Sequence, residues 1–169
     1  FNGTIQPYGV PTLTIYGGGS LTIGQSYQGG KIAYIDGSGI HGIIFANQYY
    51  NTEWCVNTGS VFGATYSDYQ QGTLNVPIIL TNAIPLVNSA GYICDWYQNA
   101  GYTDWTLPTS TDLFNIYTAG GFAACGYDTI GSWCEEFDGN YANYVSGVDG
   151  STYPTPKNTV VEVIPIRYF

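Results

Sequence analysis

Positive charge is the scarcest property of this sequence. Lys31, Lys157 and Arg167 stand against twelve Asp and Glu residues, giving a formal net charge of -9 over 169 residues. Such a balance repels polyphosphates and anionic headgroups, so the sequence predicts no nucleic-acid partner. No run of roughly 18 apolar residues occurs, which predicts no membrane insertion. Methionine is absent, and FNGTIQPYGVP at the start has neither a basic nor an apolar leader segment; the expectation is a chain processed or cut from a longer polypeptide. His41, the single histidine, cannot alone build a triad or a His-rich metal site, and within DGSGIHGIIF it reads as a turn residue. Nucleophile-elbow, Walker and dinucleotide motifs are missing: Gly17-Gly18-Gly19 leads into no helix and no Lys-Ser/Thr pair. Enzyme chemistry has no foothold, and the sequence predicts a protein that is not an enzyme.

With 9% charged residues, the polar exterior has to come from Asn, Gln, Ser, Thr, Gly and the hydroxyls of 17 tyrosines. This composition points to an extracellular, cell-surface or virion-surface location. Asn2-Gly3-Thr4 is the one N-glycosylation sequon. Cys55, Cys94, Cys125 and Cys134 are even in number and contain no CxxC pair, which argues against a metal finger. The favoured reading is two disulfides, Cys55 with Cys94 and Cys125 with Cys134, each closing a loop for about 2.5 to 4 kcal/mol on the chain-entropy model. Four buried free thiols in a reducing compartment is the alternative.

Residues 1–23, rich in Gly, Pro and Thr, read as an extended linker or assembly segment with a short edge strand at 12–16, and residues 24–169 as one domain. KIAYI (31–35) and GIIFA (42–46), joined by DGSG, predict a hairpin. Residues 47–72 show no periodicity and predict a long ordered loop. Apolar spacings of three and four predict a helix from Pro85 to Gln98 with Gly101 near its left-handed end, preceded by a short turn at 76–82 whose first turn holds Pro77. Thr109 and Asp112 form a capping-box pattern for a helix from Ser110 to Tyr117, stopped by Gly120-Gly121. Runs at 131–137, 141–145 and 159–169 predict strands. The fold class is α+β, with two or three short helices packed on a mainly antiparallel sheet.

Three ordered blocks carry a family resemblance. GQSYQGGKIAYIDGSGIHGIIFA, ICDWYQNAGYTDWTLPTSTDLFNIY and the closing GSWCEEF to VIPIRYF together resemble the domain family of the Legionella collagen-like protein C-terminal type. Its members read G-Y-x-D-W-x-L-P-S in the middle and end on V-R-P-V-R-x-F. The family's Glu after L-P-S is Asp112 here, and its W-S-S is Trp133-Cys134-Glu135. The resemblance implies a C-type-lectin-like fold with N- and C-terminal strands close together, related to variable surface proteins of bacteria and phages. It implies a recognition and adhesion role rather than catalysis. Sulfated-glycan binding is not carried over, because this chain lacks the cations for it.

Candidate ligand-binding residues are Tyr127, Asn140, Tyr141, Asn143, Tyr144, Asp149 and Tyr153, where tyrosines alternate with small amide and hydroxyl side chains as they do in antibody paratopes. Glu135, Glu136 and Asp138 form the densest acidic cluster. Neighbours in a strand point to opposite faces, so Glu135 and Glu136 make a poor acid/base pair and read as solvated surface charge. Asp138 and Asn140 are weak calcium candidates; no other cofactor is expected. The expected partners are a cell-surface glycan or protein receptor, with self-association into a fibre or filament. A self-assembling structural subunit of a filament, phage tail fibre or capsid decoration is the alternative function, with residues 1–23 adding to a neighbour's sheet edge.

Overall fold

A computed structural model describes residues 20–83 and 88–169. The expected strand at 12–16, most of the 1–23 segment and the start of the 85–98 helix lie outside them. The described residues form an α+β structure with four helices and three antiparallel sheets.

The KIAYI and GIIFA runs pair as expected. β1 (Ser26–Tyr27), β2 (Gly30–Ile35) and β3 (Gly42–Phe45) form a meander, and β9 (Ile166–Tyr168) completes a sheet of order β1-β2-β3-β9. The first and last described strands therefore share one sheet as its outer strands, and the ring of Phe169, just past β9, lies 5.3 Å from that of Tyr27. Residues 47–72 are not all loop: β4 (Tyr50–Thr52) pairs with β8 (Val161–Val163). The terminal run is thus two strands in two sheets. Pro165, which has no N–H for a ladder, lies between them, and its carbonyl accepts from the Ala46 amide at 2.9 Å. The third sheet, order β5-β6-β7, contains β5 (Ser132–Glu136), β6 (Tyr141–Val145) and β7 (Thr152–Pro156), the last of which the sequence reading did not identify.

The helices differ from expectation at their ends. α1 (Gly72–Asn82) starts four residues early, so Pro77 sits in its interior rather than its first turn. α2 (Ala90–Trp96) is capped by Ser89, whose Oγ accepts from the Tyr92 amide, and it ends at Tyr97 in extended conformation. Gly101 does not cap it; it belongs to a tight turn closed by the reciprocal Asn99 and Tyr102 backbone bonds. α3 (Ser110–Thr118) has the full capping box, with Thr109 and Asp112 exchanging side-chain and backbone bonds. α3 ends at Thr118, just before the glycine pair as expected; Gly120 turns the chain at a φ of 73°, and a second short helix, α4 (Gly121–Cys125), follows at once.

The third sheet separates two cores. Cys134 and Val145 face one, with Phe45, Leu113, Ile116, Phe122 and Ile166; Trp133 and Ala142 face the other, with Trp54, Val76, Ile79, Cys94 and Leu107. Glu136, at the end of β5, is buried rather than solvated. Lys157 Nζ lies 2.5 Å from its Oε1 with both side chains fully inaccessible, and also donates to the Ser60 carbonyl at 2.9 Å. The ammonium sits 4.9 Å from the Trp54 ring centre and 4.6 Å from that of Phe62. Glu136 Oε2 accepts from the amides of Phe62, Gly63 and Ala64 at 2.9, 2.7 and 3.2 Å. The positive φ of 87° at Gly63 turns these successive N–H groups onto one oxygen, an anion-binding nest.

Burying two ions costs several kcal/mol each, and only close geometry with every lone pair and proton used brings the pair near balance; removing one partner leaves the other stranded. Lys157→Met is therefore expected to lower unfolding free energy by about 3–5 kcal/mol in urea titrations. Adding Glu136→Gln, which removes the orphaned charge yet keeps an acceptor for the nest, is expected to recover part of that loss.

Candidate functional site

The C-terminal candidates sit on the third sheet, and its register divides them. β6 pairs with β7 through Tyr141↔Pro156, Asn143↔Pro154, Tyr144↔Tyr153 and Val145↔Thr152. Residues opposite one another share a face and successive residues alternate. Tyr144 and Tyr153 therefore lie together on one face, and Tyr141 and Asn143 on the other. The seven residues are not a single patch.

On the Tyr144 face, each phenol donates to a carboxylate. Tyr144 Oη donates to Glu162 Oε2 at 2.8 Å, and Tyr153 Oη to Asp149 Oδ2 at 3.0 Å. Tyr144 is half-buried with its ring 6.2 Å from that of Trp133, edge to face, while Tyr153 is 47% exposed. Burial, and then the Glu162 carboxylate, push the Tyr144 phenol well above its usual range, so it remains a donor at neutral pH. The Ser151 amide and then the Tyr153 hydroxyl hold the Asp149 carboxyl below its usual range, keeping it ionised. Glu162 was not among the sequence candidates. The signal for it was the alternation in TVVEV, which sets Glu162 apart from Val161 and Val163, but nothing in the sequence paired it with Tyr144.

On the other face, Asn143 is committed to Glu135, its Nδ2 donating to Oε1 at 2.8 Å. Glu135 is buried, and its Oε2 accepts from the Ser110 amide at 2.7 Å, at the first turn of α3. Neither glutamate of the acidic cluster is surface charge: Glu135 ties β6 to α3, and Glu136 ties β5 to the 62–64 loop. Asp138 and Asn140 are exposed at the β5–β6 turn, where Asp138 Oδ1 accepts from the Asn140 and Tyr141 amides at 2.7 and 2.9 Å. Among the described residues no group of three or more His, Cys, Asp or Glu is placed to hold a metal ion. His41 is exposed in the β2–β3 turn, with Nδ1 3.2 Å from the Phe169 carbonyl.

Tyr127 leaves the candidate set. It is 8% exposed, its hydroxyl donates to the Ala46 carbonyl at 2.9 Å, and its ring packs edge to face on Phe45 at 5.6 Å. Its function is to close the core beneath β3.

The cysteines also depart from expectation. All four are free and buried. Cys55 shares a core cluster with Cys94, and Cys125 with Cys134, so each favoured pair is gathered on one side of the third sheet without being bridged. Instead the Sγ atoms of Cys55, Cys125 and Cys134 donate to the carbonyls of Asn57, Ile32 and Asn143. Burial pushes Cys55 and Cys125 up to about 11, and it also holds Cys94 and Cys134 well above the usual thiol range.

Comparison with known proteins adds no relative: no family model matches the chain, and no curated protein matches it.

The thiols supply a direct check. Native protein is expected to leave Ellman's reagent unreacted at pH 8, because the nucleophilic thiolate is suppressed and covered; unfolding without reductant is expected to release four titratable thiols. Since the folded values of Cys55 and Cys125 are raised from about 9 to about 11, their contribution to stability is complete below pH 9 and is lost as pH rises toward 11. Cys55→Ala with Cys125→Ala is expected to flatten that alkaline decline in denaturant titrations at stepped pH.

Proposed function

We propose that the chain is a non-catalytic recognition module of the extracellular or virion surface, C-type-lectin-like and akin to the Legionella collagen-like protein C-terminal type, that binds a glycan or protein receptor. The observation that carries this is the Tyr144–Tyr153 cross-strand pair with a carboxylate on each phenol. Tyrosine rings give stiff contact area at low entropic cost, and ionised carboxylates accept strongly from ligand hydroxyl or amide donors. Asp149 and Glu162 also set the ligand's charge, since an anionic receptor would be repelled. The burial and commitment of Glu135 and Glu136 supports a non-catalytic reading, because neither carboxylate is open to a substrate.

The filament alternative is weaker at this sheet. The Lys157 amide donates to the Asn140 carbonyl and the Ser146 amide to the Ser151 carbonyl, so the odd-numbered residues of β7 face β6 and the even-numbered ones face outward. Pro154 and Pro156 fall on the outward set, which deletes two donors that an added strand would need.

Glycan arrays and receptor pull-downs test the proposal. Tyr153→Ala is expected to weaken binding about tenfold or more, on the scale of an aromatic anchor, and Tyr144→Phe several-fold through the lost Glu162 contact. Tyr141→Ala, on the opposite face, is expected to change nothing. Unchanged binding in both Tyr153→Ala and Tyr144→Phe would contradict the assignment.

A further inference from the structure

A second surface carries chemistry that the C-terminal face does not use. At the C-terminal end of α2, Trp96 is 63% exposed, whereas Trp54 and Trp133 are fully buried and Trp105 is 3% exposed. Leaving an indole in water forfeits one of the largest apolar gains available to a side chain. Trp96 does not stand on a convex surface: with Gln48, Tyr50, Tyr97 and Gln98 it lines an open cleft of about 300 Å³. That volume lies at the small end for a small-molecule site.

The cleft floor is stiff. Tyr97 is buried, edge to face with Trp105 at 4.8 Å and with Tyr50 at 6.2 Å. The Asn47 amide donates to the Tyr97 hydroxyl at 3.4 Å, which ties the β3–β4 loop carrying Gln48 to the end of α2, and Gln48 Nε2 bonds the Tyr50 hydroxyl. The lining is uncharged. Two primary amides, Gln48 and Gln98, bring donors and acceptors to the same lining as the indole, and the Tyr50 hydroxyl adds another group that can do both.

We infer that this cleft is a binding site for a neutral saccharide unit, with the ring of a hexopyranoside stacked on Trp96 and its hydroxyls paired to the Gln48 and Gln98 amides. A sugar ring presents an apolar C–H face and a rim of hydroxyls that each donate and accept, which matches an indole flanked by amides. A charged ligand would find no counter-ion in the lining, and the net charge of -9 disfavours anionic sugars further. The site is separate from the Tyr144–Tyr153 face and does not depend on that reading.

Trp96 is also the reporter. Because the other three tryptophans are buried, acrylamide quenching of fluorescence reads Trp96 selectively. The full chain is titrated with methyl glycosides of glucose, galactose, mannose and N-acetylglucosamine, with N-acetylneuraminic acid as the anionic comparison. At least one neutral glycoside is expected to shield Trp96 from acrylamide. Followed by saturation-transfer NMR, Trp96→Ala is expected to weaken that binding tenfold or more, and Gln48→Ala with Gln98→Ala several-fold. Ile40→Ala, in the exposed β2–β3 turn, is expected to leave it unchanged, and the shielding of Trp96 itself separates this site from the C-terminal face. Failure of every neutral glycoside to shield Trp96, stronger shielding by N-acetylneuraminic acid, or undiminished binding in Trp96→Ala would overturn the inference.

Discussion

Glu136 and Lys157 form an ion pair with both side chains fully buried, and the 60–64 loop and the chain after β7 are arranged around keeping both charges satisfied. The carboxylate collects three loop amides, and the ammonium takes one carbonyl and two aromatic faces. These demands fix residues 60–64 against β5 although that loop has no regular structure of its own. They also fix the chain after β7, where the Lys157 amide and carbonyl bond Asn140 and the Cys55 amide. A hydrophobic pair of similar volume could equal the ion pair in stability, but it would leave the nest amides without an acceptor.

The other charged side chains follow the same pattern of holding segments that hydrophobic packing alone would leave loose. Arg167 grips Asp104 through two bonds of 2.8 Å and lies over the Tyr102 ring, so the Asn99–Tyr102 turn is anchored to β9. Asp112 accepts from the Thr109 and Gln70 amides and the Tyr168 hydroxyl, joining α3 to the loop before α1 and to the last strand. With so few charges, most of those near the core are structural.

The local elements were the legible part of the sequence. The β2–β3 hairpin follows from two β-rich runs about a glycine turn, and the α3 start from a cap that depends on residues three apart. What was not legible depended on distant partners. Tyr127 looked like a paratope tyrosine because its neighbours are small and polar, yet its hydroxyl finds the Ala46 carbonyl 81 positions away. Glu136 looked solvent-exposed because acidic clusters usually are, and its partner Lys157 lies 21 positions further on. The division of the tyrosines into two faces needed the β6–β7 register, and the Trp96 cleft needed the β3–β4 loop and the end of α2 brought together. Free cysteines could not be told from paired ones by spacing, because each favoured pair does share a core.

The Glu136–Lys157 pair, rather than local structure, holds the 60–64 loop. Native-state hydrogen exchange at the Phe62, Gly63 and Ala64 amides tests it most directly. These amides, although in a loop, are expected to exchange as slowly as those of β5 and β6, and to become fast in Glu136→Ala. Exchange in the wild-type protein as rapid as at the exposed 37–39 turn would contradict it.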